Sequence, residues 1–90
     1  MTVTIAGRRW KLRFVEKMRD YGRCDDPSRP HKEIRIRAGQ SDFELCDTSV
    51  HEILHAAAYE LLSEEWVAQT ATDITKVLWR LGYRRQTPQA

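Results

Sequence analysis

Two stretches near the N-terminus alternate between apolar and polar residues, which is the spacing of a strand with one buried face. The apolar positions of these stretches are Val3, Ile5, Trp10, Leu12 and Phe14. Gly7 lies between them in a short polar segment that fits a tight hairpin turn. The pattern therefore predicts two neighbouring antiparallel strands.

A third alternating run occupies residues 32–39, with Ile34 and Ile36 on one face and Gly39 at its end. The segment from Met18 to Lys32 is charged and rich in turn-forming residues, and we interpret it as a loop. We expect the strand carrying Ile34 and Ile36 to lie at the sheet edge, where an extended peptide could pair with it.

Two helices are predicted to follow. Any of Asp47, Thr48 and Ser49 can cap a helix that runs to about residue 61. After a very short connection, Ser63 can cap a second helix that ends near Gly82. The fold prediction is a single α+β domain over residues 1–83, with a three-stranded antiparallel sheet packed on two helices, followed by a flexible tail over 84–90.

Composition limits the classes of function. The chain has 90 residues, enough for one small domain, and a net charge of +2 from 15 basic and 13 acidic residues. Because this imbalance is small and the arginines are dispersed, we expect no nucleic-acid partner. The N-terminus has no secretion-type apolar segment and no apolar run approaches a membrane span, so we expect a cytoplasmic protein with no membrane partner.

Cys24 and Cys46 are too few and too far apart for a disulfide framework or a paired-cysteine metal site. In a reducing compartment we expect free thiols. An alternative for Cys24 is a role near the site as a ligand or redox group. His31 lies in the charged loop and is predicted to be an ordinary surface residue.

The segment SVHEILHAAAYELLSEEW, residues 49–66, contains the candidate metal-binding and catalytic residues. At about 100° per residue, His55 lies about 40° from His51 around a helix, so both imidazoles can reach one ion. Glu52, about 100° round, is placed to take a proton from a zinc-activated water and pass it to a leaving amine. The helix face predicted to be buried consists of Val50, Ile53, Leu54, Ala57, Ala58 and Leu61. The competing interpretation is a polar helix edge with two solvated histidines.

A catalytic zinc needs three protein ligands and one open position. Glu64 and Glu65 are the candidates for the third ligand, because the short turn brings the second helix back beside the histidines. Glu64 is preferred, since it continues the apolar stripe of that helix; Glu60 and Asp73 are further alternatives. Tyr59 falls on the same edge as the histidines and could donate a hydrogen bond to an oxyanion.

At His51, Glu52, His55 and Glu64 the sequence resembles the zincin metallopeptidases, in particular the gluzincins. In that group, HExxH on one helix is joined by a glutamate that opens a later helix, and the smallest members, the minigluzincins, are about this long. The resemblance covers roughly residues 20–82. It implies a minimal zincin-like fold with the two histidines and Glu64 as zinc ligands.

These observations predict a zinc metallopeptidase that hydrolyses peptide bonds in a peptide or protein substrate. The first alternative is a zinc-stabilised, non-catalytic interaction module with a degenerate or incomplete cleft that a partner chain could complete. The second, which the dispersed arginines support only weakly, is a small basic nucleic-acid-binding domain. Zinc is the expected ion, although iron, cobalt or manganese can occupy such a site.

Overall fold

The computed structural model describes residues 1–86 of the chain. Four strands come first along the chain: β1 (Thr2–Ile5), β2 (Arg8–Val15), β3 (Gly22–Cys24) and β4 (Glu33–Arg37). Two helices follow: α1 (Asp42–Ala57) and α2 (Glu64–Arg80). The α+β class is as expected. None of the helices in the described range is both long and apolar enough to cross a membrane.

The sheet has four strands in the order β1-β2-β4-β3 and is mixed, whereas three antiparallel strands were predicted. The hairpin of β1 and β2 is confirmed, and its turn residues Ala6 and Gly7 both have positive φ, as in the turns that suit the twist of a hairpin. However, β2 and β4 are parallel. The segment between them contains β3, which pairs antiparallel with the far side of β4.

This topology corrects the edge-strand prediction. β4, which carries Ile34 and Ile36, is an inner strand, and β3 forms the edge on its side of the sheet, with β1 at the other edge. β3 was predicted to be part of a loop because it has only three residues, Gly-Arg-Cys, which provide no apolar alternation.

Helix α1 starts earlier than predicted. Ser41 is its N-cap, with a capping box in which Ser41 accepts from the Glu44 backbone and Glu44 reaches back to the Ser41 backbone. The three residues proposed as caps lie inside the helix because their side chains have other partners. Thr48 donates to Gln40, Ser49 donates to the carbonyl of Leu45, and Asp47 accepts from Thr72 of α2.

Helix α1 also ends earlier, at Ala57 rather than near residue 61, and its buried face differs from the prediction. The helix residues that are buried are Glu52 and Ala56. Ile53 is 38% exposed and Leu61, beyond the helix, is 84% exposed. The buried face differs because α1 packs against α2 on one side and against strands β3 and β4 on the other.

The core lies between the sheet and α1. Its buried members are Trp10, Leu12, Ile34, Ile36 and Ala56. Helix α2 begins after Ser63, whose side chain accepts from the backbone of Trp66, as predicted. Near the C-terminus, Arg84 stacks on Trp79 and Arg85 on Phe14. The predicted tail thus begins with residues that contact the domain; its last four residues, 87–90, lie outside the described range.

Candidate metal centre

Three side chains converge where the end of α1 meets the start of α2. The Nε2 atoms of His51 and His55 are 3.1 Å apart. Glu64 places one carboxylate oxygen 2.8 Å from His51 Nε2 and the other 2.8 Å from His55 Nε2. Tetrahedral coordination with bonds of about 2.0–2.1 Å separates two ligand nitrogens by roughly 3.3 Å, so these atoms are already near the spacing that zinc requires.

The arrangement places lone pairs against one another. Each imidazole nitrogen can carry at most one proton, and a carboxylate only accepts. If both Nε2 atoms carry a proton and donate to Glu64, neither can accept in the 3.1 Å contact between the two histidines. If one Nε2 atom carries no proton, its 2.8 Å contact with the Glu64 carboxylate has no donor. A single cation at the centre would satisfy all three contacts at once.

Local structure positions each of the three side chains. The histidines are four residues apart on α1 and therefore lie on one side of the helix. Glu64 is the first residue of α2, and Ser63, which accepts from the backbone of Trp66 at 3.1 Å, fixes that first turn. A hydrogen bond also joins the two helices one turn N-terminal to His51, where the Thr72 hydroxyl donates to the Asp47 carboxylate at 2.9 Å.

Glu52 lies beside this cluster and is only 6% exposed. Burial, with smaller contributions from the carboxylates of Glu64 and Asp20, raises the pKa of Glu52 to about 7. A cation at the cluster would act in the opposite direction, because positive charge favours the ionised carboxylate.

Gly22 of the edge strand forms the wall against which Glu52 packs. A Cβ at position 22 would lie 2.8 Å from Glu52 Oε2, 2.9 Å from Glu52 Cγ and 2.8 Å from the methyl group of Thr48. Only a residue without a side chain leaves room for the Glu52 carboxylate here. Gly22 was missed as a site residue because its role depends on a contact between positions 30 residues apart in the sequence.

The cluster opens into a cleft of about 500 Å³ between α1, α2 and the start of β3. The residues that line it are Arg19, Asp20, Tyr21, Gly22, Asp47, Thr48, His51, Glu52, Glu64, Ala68 and Thr72. Glu52 and His51 therefore border the same open cleft. The segment 19–21 was interpreted as loop, and nothing in its local pattern indicated that it borders the cleft.

Some of the proposed residues are not brought together. Among residues 1–86, the group of side chains able to hold one ion consists of the two histidines and Glu64. It does not include Glu65, Glu60, Asp73 or Cys24. Tyr59 lies beyond the end of α1, is 36% exposed and does not line the cleft.

Cys24 faces a different environment from the one its alternative role requires. Its thiol lies 3.4 Å from the carbonyl oxygen of Asp25. Burial, followed by the negative charges of Glu52 and Asp25, raises the pKa of the Cys24 thiol to about 12. Since the thiolate is the form that binds metals and reacts, this position disfavours both roles.

No protein-family model, curated protein or solved structure matches the chain.

Proposed function

We propose that this chain is a zinc-dependent metallopeptidase of the zincin type. The observation that carries the proposal is the convergence of His51, His55 and Glu64 on one point, with Glu52 beside them in the same cleft. Two histidines and a glutamate are a donor set suited to catalytic zinc, and they leave a fourth position open.

Each residue has a defined role in this proposal. His51, His55 and Glu64 would hold the ion, which would act as a Lewis acid and lower the pKa of a bound water. Glu52 accepts a proton from the attacking water and donates it to the amine that leaves when the peptide bond breaks. The backbone of Gly22 holds the Glu52 side chain against α1, which restricts the directions in which its carboxylate can turn.

The edge strand β3 offers a surface for an extended peptide. Tyr21 and Asp25 form backbone hydrogen bonds to β4 of 2.8 and 3.0 Å. Because bonded and non-bonded positions alternate in an antiparallel pair, Gly22 and Cys24 direct their backbone N–H and C=O groups away from β4. A peptide paired with these groups would run along the cleft beside Glu52.

A non-catalytic, zinc-stabilised module is the second candidate. The Glu64 side chain is 69% exposed, so one side of the cluster is open to solvent and a partner chain could cover it. This candidate predicts stoichiometric zinc binding without cleavage of any member of a panel of unfolded proteins.

The deciding experiment compares Glu52→Gln with Glu65→Gln. Both replace a carboxyl group by an amide of the same shape, but Glu65 is exposed and lies outside the cluster of His51, His55 and Glu64. We expect Glu52→Gln to retain stoichiometric zinc, measured by elemental analysis, and to lose about 10²–10⁴-fold in peptide hydrolysis. Glu65→Gln should keep both properties. Unchanged hydrolysis in Glu52→Gln would remove Glu52 from the mechanism.

A further inference from the structure

The face of the sheet that points away from α1 is covered by basic side chains. Residues alternate between the two faces of a strand, so the neighbours of the buried Trp10, Leu12, Ile34 and Ile36 lie on the opposite face. The basic residues of this open face are Arg9, Lys11, Arg13, Arg23, Arg35 and Arg37.

Strand register arranges three of them in a row. Arg13 of β2 is the partner of Arg35 in β4, and Arg35 is in turn the partner of Arg23 in β3. Neighbouring strands lie about 4.8 Å apart, so the three arginine side chains start from adjacent positions across the sheet. These arginines are 10 to 22 residues apart in the sequence, which is why they look dispersed along the chain.

Acidic side chains neutralise only part of this face. Glu33 pairs with Arg13 at 3.4 Å and with Arg35 at 3.1 Å, and Asp25 pairs with Arg35 at 3.4 Å. Asp20 also pairs with Arg23, at 3.6 Å. Six basic residues against these three acids leave an excess of three positive charges. Since the whole chain is only +2, the other positions together carry a net negative charge.

The chemistry of the face favours phosphate. Five of its six basic residues are arginines, whose planar fork binds phosphate oxygens in a bidentate way. Tyr21, at the edge of the face, is 60% exposed and lies under the guanidinium of Arg37 at 4.3 Å from the ring centroid. An exposed aromatic ring beside arginines can stack on a base.

A membrane fits this face less well. Interfacial binding needs bulky apolar side chains that insert below the headgroups. The open-face positions of β1 and β2 offer Thr2, Thr4 and Val15 besides their basic residues, and none of these is large.

We propose that the open face of the sheet binds the sugar–phosphate backbone of nucleic acid, without sequence specificity. The face does not include the metal-binding side chains, so the two sites are separate. They meet at the edge strand, where Gly22 lines the cleft and the adjacent Arg23 points to the open face. A nucleic acid on this face would therefore hold proteins bound to it close to the cleft.

The test measures binding of the full chain to a fluorescein-labelled 20-nucleotide single strand and to the matching duplex, by anisotropy over a range of salt concentrations. The test variant is Arg13→Gln/Arg23→Gln, because both side chains are well exposed and form only surface ion pairs. The control is Lys76→Gln/Arg80→Gln, which removes the same charge from exposed positions on α2.

We expect the wild type and the control to bind both probes with a strong salt dependence. The test variant should bind at least about fivefold more weakly at low salt, and its log–log salt slope for the single strand should fall by about 1.4, or 0.7 per lost contact. Equal weakening in the test and control variants would overturn the proposal, because it would reflect net charge alone. Tighter binding to anionic lipid vesicles or to poly-glutamate than to either nucleic acid would also overturn it.

Discussion

At the scale of single residues, the contact between Gly22 and Glu52 links strand β3 to the proposed general base. Gly22→Ala would place a methyl group within 3 Å of two Glu52 atoms and of the Thr48 methyl. The backbone does not require glycine for a positive φ here, so the effect should come from this crowding alone. We expect a loss of about 1–3 kcal/mol in the free energy of unfolding, measured in urea, and a displaced Glu52.

Activity gives the sharper readout for Gly22→Ala. Zinc affinity, measured by competition with a chelator, should change little because the atoms nearest to the added methyl group belong to Glu52 and Thr48. Hydrolysis should fall with the displacement of Glu52. Adding Thr48→Ser removes one of the crowded methyl groups and should recover part of the stability but not the activity. A Gly22→Ala protein as stable and active as the wild type would show that Glu52 does not depend on this wall.

The residues of the candidate site differ in how far the sequence could predict them. The placement of His51 and His55 depends on the local geometry of one helix, and that of Glu64 on one short turn and a cap. The structure brings these three together, although their role as zinc ligands remains a prediction. Gly22 and Asp20 approach Glu52 only because β3 packs on α1. No pattern within a short stretch of sequence predicts this packing.

At the scale of elements, the start of α2 determines where Glu64 lies. Ser63 caps α2, accepting from the Trp66 backbone at 3.1 Å, and Ser41 caps α1 in the same way, accepting from Glu44 at 3.2 Å. Replacing either serine by alanine should cost about 1 kcal/mol of stability. Only Ser63→Ala should also weaken zinc binding, by about fivefold, because it loosens the turn that carries a ligand.

The Ser41→Ala variant is the matched control for this prediction, since it removes an equivalent hydrogen bond at the opposite end of α1 from the histidines. Thermal unfolding would measure the two stability losses and chelator competition the two zinc affinities. Equal zinc affinities in the two variants would mean that the cap of α2 does not position Glu64.

Alternation along the chain predicts the face of a strand better than it predicts strand order or helix ends. Alternation correctly assigned Trp10, Leu12, Ile34 and Ile36 to the buried faces of β2 and β4, whereas Phe14, predicted on the same face of β2, is 38% exposed. It could not give strand order, since parallel and antiparallel partners present the same alternation. The start of α1 was misplaced because Ser41 competes with three other polar residues for the role of cap, and tertiary partners such as Thr72 decide the outcome.

At the scale of the whole molecule, charge is segregated even though its sum is small. The open face of the sheet carries an excess of three positive charges after its ion pairs with Glu33, Asp25 and Asp20. The cleft is lined by Asp20 and by the carboxylates of Asp47, Glu52 and Glu64. The expectation that the chain has no nucleic-acid partner used net charge and spacing in the sequence. Neither quantity reveals a face that forms only when β2, β4 and β3 lie side by side.

A bound metal should stabilise the whole domain, because the ligand cluster joins α1 to α2 and is absent from the unfolded chain. At a free zinc concentration 100 times the dissociation constant, the expected stabilisation is about 2.7 kcal/mol. For a domain of this size that corresponds to a rise in melting temperature of roughly 10–20 °C, measured by calorimetry with zinc and with a chelator.

Three variants make the melting experiment specific to the proposed centre. His55→Ala should abolish the stabilisation by zinc, whereas His31→Ala should retain it because His31 lies outside the cluster. Glu52→Gln should also retain it, since Glu52 is assigned to proton transfer and does not hold the ion. If His55→Ala were stabilised by zinc as strongly as the wild type, the ion would bind elsewhere and the assignment of the centre would fail. An equal loss of zinc stabilisation in His31→Ala and His55→Ala would also contradict the assignment of the centre. Such a result would indicate that zinc binds to histidines in general and not at one site where α1 meets α2.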